Sequence, residues 1–189
     1  ALLGQQLFSE QFKTAGRDLS EKLSDKEFLH DYQRELYAIV SGFESGMRRM
    51  ASAGMDRIRA AGLGTGDFFR AGTGPAGYLL KTSGGVITEP NTYVRKAAEQ
   101  TDGWHVKNAP RQAEIEKLCH GGLMALLKEL TTHYDRGIRD YNTALHILKN
   151  LYTLGILTDL SGHLQDYCRE NNIFLLSDAA SFLHTIIDD

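Results

Sequence analysis

Nine apolar residues, Ile138, Tyr141, Leu145, Leu148, Tyr152, Ile156, Leu160, Leu164 and Tyr167, recur three or four positions apart. At 3.6 residues per turn that spacing keeps all nine on one side of a helix. The run covers thirty residues, about 45 Å of helix at ~1.5 Å per residue. The strongest pattern in the 189-residue chain is therefore helical. The rest of the sequence agrees, because Gly85-Val-Ile-Thr88 is its one short β-like run. The expected class is all-α: an irregular multi-helix domain with one long amphipathic helix and a glycine-rich middle.

The remaining helices are marked by their ends. Ser24-Asp-Lys-Glu27 reads as a capping box, in which the serine hydroxyl accepts from the Glu27 amide and the glutamate reaches back. Behind it Phe28, Tyr32, Leu36, Ile39, Val40 and Phe43 form a stripe at helical spacing, expected to be buried. Gly42 and Gly46 are expected to bend or break this helix before it resumes through Met47, Met50 and Ile58. Gly62, Gly64 and Gly66 end it, since glycine supplies left-handed turns. Short helical pieces follow around Phe68-Phe69 and Tyr78-Leu79-Leu80, and another from Thr92 to Gln100. Pro110 opens a helix to about His133, and the long one begins near Ile138. Residues 1–189 read as a single helical domain, divisible into sub-lobes 1–62 and 91–189 joined by the glycine-rich segment 62–90.

Composition excludes several classes. Charged residues make up 24% and hydrophobic ones 42%, ordinary for a globular chain. No apolar run approaches a membrane span, and Cys119 and Cys168 are too few and too far apart for a disulfide framework or a zinc site. A cytoplasmic location is expected. Net charge is −3 but unevenly spread. Between Ser45 and Lys96 eight basic residues face Asp56, Asp67 and Glu89, a local +5 against −8 elsewhere. Such asymmetry suits a local polyanion, although a solvated helix face is its simpler explanation.

Gly72-Thr-Gly74-Pro-Ala-Gly77 matches the dinucleotide pattern G-x-G-x-x-G. That chemistry needs a preceding strand and free amides at the start of a helix; no strand-like run precedes Gly72, and Pro75 removes an amide. As a phosphate loop it fails too, with Tyr78 and Leu79 where lysine and a hydroxyl are required. The histidines (30, 105, 120, 133, 146, 163 and 184) show no metal spacing; His146 and His163, beside the apolar stripe, are expected to be partly buried. Adjacent Cys119 and His120 point in different directions on a helix. Trp104, after Asp102-Gly103, is expected to plug the core and not to stack on a base. No catalytic residue, cofactor site or metal site emerges.

The end of the chain carries a family likeness. A tyrosine-containing helix, a break at Asn171-Asn172, the apolar Ile173-Phe-Leu-Leu176, then Ser177-Asp178 starting another helix resembles the stretch of UvrD/Rep-type superfamily-one DNA helicases just before their Mg²⁺-binding Asp-Glu motif. The likeness covers about Arg139 to Ile187. Tyr141-Asn-Thr-Ala-Leu145 and Leu148-Lys-Asn-Leu-Tyr152-Thr-Leu-Gly-Ile-Leu157 look most like the RecB/AddA-like, Bacteroides-type branch. Leu175-Leu176 stand where that family usually has Asp-Phe. The resemblance implies a fragment covering the helical 1B insertion subdomain, an accessory piece that guides DNA while the ATPase motifs lie elsewhere. ATP and Mg²⁺ would belong to the parent enzyme, and the partners would be a single-strand/duplex DNA junction and the remaining motor domains. The apolar start, Ala1-Leu-Leu3, and the end after Ile186-Ile187 fit an excised domain. Arg48, Arg49, Arg57, Arg59, Arg70, Arg95 and Lys96 become the candidates for DNA-backbone contacts. The competing readings are a helical protein–protein interaction module, which requires an exposed apolar groove, and a small hydrolase, which requires a pocket of convergent titratable groups.

Overall fold

The computed structural model describes Lys22 and residues 25–173, apart from the side chains at positions 154 and 158. Every regular element among them is helical. The order is α1 (Lys26–Ala60), a 3₁₀ turn (Thr65–Asp67), α2 (Pro75–Ser83), α3 (Thr92–Glu99), a 3₁₀ turn (Thr101–Gly103), α4 (Gln112–Leu118), a π turn (Cys119–Leu123) and α5 (Met124–Glu170). None of these helices is long and apolar enough to cross a membrane. The Gly85–Thr88 run is irregular. The helix expected to start at Ser177-Asp178 lies outside the described residues.

The chain forms two compact units: Leu36–Leu145, called unit 2, and the segments 1–35 with 146–189, called unit 1. The division does not fall at the glycine-rich stretch. Phe68, Ala76, Tyr78 and Leu79 from that stretch sit in the core of unit 2, so 62–90 is packed interior there and not a connector.

Local chemistry explains the helix boundaries. Ser24 lies outside the described residues; the cap on view is Asp25, whose Oδ1 accepts from the amides of Glu27 (2.9 Å) and Phe28 (3.1 Å). At the far end of α1, Gly62 adopts φ +67°, and the amides of Gly62 and Leu63 donate back to Arg59 and Ile58. This reversal satisfies carbonyls that the helix leaves free. The same bonding closes α2 at Gly85 and α5 at Asn172, which takes φ +53°. The break expected at the asparagine pair is therefore present.

Three expectations about helix continuity fail. First, α1 runs unbroken through Gly42 and Gly46. A Cβ on Gly46 would sit 2.7 Å from His133 Nε2, and one on Gly137 would sit 2.6 Å from the Phe43 ring. Missing side chains here let α1 and α5 interlock, with Phe43 stacked on His133 at 5.4 Å. That packing offsets a glycine penalty of about 1 kcal/mol. Second, α5 does not begin near Ile138; it starts at Met124 and continues for 47 residues. The break falls earlier, at the π turn, where Gly122 has φ +105° and Arg57 Nη1 donates to the Gly121 carbonyl at 3.1 Å. Third, the stripe predicted for the start of α1 is buried at Leu36, Val40 and Phe43 while Phe28 and Ile39 remain exposed.

The core of unit 2 gathers Met47, Ala51, Met55 and Ile58 of α1, Leu79 of α2, Val94 and Ala97 of α3, Trp104, Ile115 of α4, and Leu123, Leu127 and Leu130. Trp104 is 0% exposed, meets Phe68 edge-on, and its Nε1 donates to the Ala97 carbonyl at 2.7 Å. It is the plug expected from the sequence, with its one polar atom satisfied.

Candidate nucleic-acid interface

The glycine run is closed up by chain packing, which suits it poorly to cradling a phosphate. Gly74 precedes α2 and Pro75 opens it. A Cβ on Gly74 would collide with the Phe69 carbonyl, and one on Gly77 with the backbone of Ala71 and Gly72. Both glycines exist for close chain packing, and Pro75, Ala76 and Gly77 are buried. Cys119 is equally unsuited to catalysis. It is buried, and that burial pushes its thiol up to about 12, far from the thiolate a nucleophile needs. Burial likewise pushes the Tyr78 hydroxyl up to about 12. Among the described residues no group of three His, Cys, Asp or Glu side chains could hold a metal ion.

The seven basic residues expected to meet a polyanion all lie in unit 2 and are all exposed. They do not form one patch of free charge. Arg95 grips Asp135 with two bonds of 2.8 Å and donates from Nε to the Pro90 carbonyl. That hydrogen-bonded guanidinium holds the Asp135 carboxyl below its ordinary value. Lys96 pairs with Asp102 at 2.8 Å and Arg59 with Asp56 at 3.3 Å. Arg57 is committed to the π turn. Arg70 lies 4.3 Å above the Tyr93 ring, a cation–π contact that leaves its charge uncompensated. Arg48 rests against Gly85. Arg48, Arg49 and Arg70 have no carboxylate partner among the described residues.

Of the seven, Arg49 alone lines a hollow in unit 2 of about 440 Å³, together with Met50 of α1 and Lys128, Glu129, His133 and Arg136 of α5. The α5 residues escaped the sequence reading because they fall outside the basic segment 45–96. A usable signal was there: Lys128 and Arg136 are eight apart, and Glu129 and His133 four apart, spacings that place each pair on one side of a helix. Lys128 also pairs with Glu99 at 3.1 Å, whereas Arg136 has no carboxylate partner among the described residues.

Charge is divided by unit as well, though less sharply than by sequence segment. Unit 2 holds fourteen lysines and arginines against eleven carboxylates, a net +3, and the remainder of the chain carries −6. Unit 1 presents a different surface. Tyr152 (65% exposed), Ile156 (67%), Leu160 (61%), Leu164 and Tyr167 stand along α5 in solvent, and Gln33 Nε2 donates to Tyr152 Oη at 2.6 Å. His146 and His163, expected to be partly buried beside this stripe, are exposed with it.

No protein-family model, curated protein or solved structure matches this chain.

Proposed function

We propose that this chain is an accessory DNA-guiding subdomain of an ATP-dependent DNA helicase of the UvrD/Rep type, acting in DNA unwinding during repair or recombination. The observation that carries the reading is the segregation of charge: unit 2 is net positive, and Arg48, Arg49, Arg70 and Arg136 on its surface have no carboxylate partner among the described residues. The likeness of residues 139–187 to the 1B insertion supplies the context. On this reading the domain performs no chemistry; ATP, Mg²⁺ and the power stroke belong to the parent's motor domains, in the cytoplasm. Guanidinium groups on a rigid helical frame hold phosphodiester oxygens without regard to base, and their counterions are released as they do so.

Titration of the chain with forked DNA at low and at moderate salt tests this. Binding should weaken with salt by ~0.7 to 0.9 log units per tenfold salt for each phosphate neutralised. Replacing Arg48 and Arg70 together with alanine should reduce that slope by about one to two contacts. Absence of any salt-dependent binding would remove the role.

A second reading draws on the α5 stripe. Five large apolar side chains in water, Tyr152, Ile156, Leu160, Leu164 and Tyr167, favour a protein partner for unit 1. The rest of a helicase motor is the partner that agrees with the first reading.

A further inference from the structure

We propose that the hollow between Arg49 of α1 and Lys128, His133 and Arg136 of α5 is a discrete seat for a phosphate group. The seat deepens the DNA reading, on which it rests for the identity of its occupant in the cell; its existence is a matter of local geometry. Three cations from two packed helices line one concavity against a single lining carboxylate, Glu129. Glu99 pairs with Lys128 from outside it, so the uncommitted charge belongs to Arg49 and Arg136. Two guanidinium groups offer forked, parallel donors, which match an oxyanion bearing several acceptor oxygens better than a carboxylate bearing two. The volume, about 440 Å³, falls in the range of small-molecule sites.

The walls are held rigidly. Met50 beneath Arg49 is buried, and His133 is fixed by its stack on Phe43 and its approach to Gly46. His133 Nε2 is buried against Gly46 of α1 without a hydrogen-bond partner among the described residues, so it is not offered to an occupant of the hollow. Thr132, also in the lining, is no free donor, because its hydroxyl is spent on the Lys128 carbonyl at 2.8 Å. Recognition therefore falls to the arginines and the lysine.

The test uses the 189-residue chain in three titrations at fixed ionic strength: inorganic phosphate, acetate and forked DNA, each followed by amide chemical shifts. Phosphate should move resonances around residues 49 and 125–136 saturably while acetate does not. The double variant Arg49→Ala/Arg136→Ala should bind phosphate at least tenfold more weakly with an unchanged melting temperature. Arg169→Ala, which removes an arginine paired to Asp166 in unit 1, should bind as the parent does. If the double variant also loses fork affinity, the occupant is the nucleic-acid backbone. If phosphate saturates and fork binding is absent or unchanged, the seat stands as a site for free phosphate or a phosphomonoester. Failure of the chain to bind forks at all would then fell the DNA reading alone. Equal shifts from acetate and phosphate overturn the seat. So does silence at these residues in both the phosphate and fork titrations, or full phosphate affinity in the double variant.

Discussion

Helix α5 carries the same apolar rhythm through both units, and its two stretches end in different environments. In unit 2, Leu127 and Leu130 are 0% exposed, sealed by α1 and the rest of the core. In unit 1, Tyr152, Ile156 and Leu160 repeat the rhythm and stand more than 60% exposed. Periodicity therefore reports that a helix forms and which side is apolar; it does not report that a covering surface is present. The charges divide the same way, with the positive balance on the well-packed unit and the negative balance on the other. An interior that closes over its own apolar residues can carry surface charge for a partner, whereas a bare stripe needs the partner for burial.

The contrast can be broken most forcefully at Trp104. Trp104→Ala should cost about 3–5 kcal/mol, read by urea denaturation as a collapse of the unit 2 transition. A cost below that range would mean the plug is not central to the core. The sharper comparison sets Leu127→Ala against Ile156→Ala. The first empties a fully buried site and should cost about 2–5 kcal/mol; the second removes an exposed side chain and should stay within about 0.5 kcal/mol. Comparable losses at the two positions would show the stripe to be covered in solution.

The smallest effect concerns the Arg95–Asp135 pair on the surface of unit 2. With both side chains more than 40% exposed, solvent screening leaves it about 0.2–1 kcal/mol. Because Arg95 lowers the Asp135 pKa in the folded state, the contribution is fully present above the ordinary carboxylate value of 3.8. It is lost as pH falls through the lowered folded value. Asp135→Asn should therefore be slightly less stable than the parent at neutral pH, the gap closing in acid; a gap that persisted in strong acid would assign the effect to something other than the ion pair.

The all-α class, the helix stops at Gly62 and Asn172, and the Trp104 plug were legible because each depends on local chemistry: a period, a left-handed turn, one large amphipathic ring. Continuity was not legible. Gly46 reads as a helix breaker until His133, eighty-seven residues away in sequence, is seen to occupy the space it leaves. The joint before α5 was placed too late for the same reason, since Tyr134–Gly137 has no defect once Phe43 packs on Gly137. The candidate interface was half legible. Arg49 was identified, yet its neighbours Lys128 and Arg136 come from a segment whose carboxylates cancel them in any count of local charge. Arg95 and Lys96 looked free because their partners, Asp135 and Asp102, are joined to them only through folding or a turn.

The bond from Arg57 to the Gly121 carbonyl has a bearing on how any arginine scan of this surface must be interpreted. Arg57 stands among the basic residues, but its guanidinium clasps the π turn between α4 and α5, where Gly122 is left-handed. Truncating it loosens that junction, so weakened fork binding by Arg57→Ala would be a false positive for DNA contact unless its melting curve matches that of the parent.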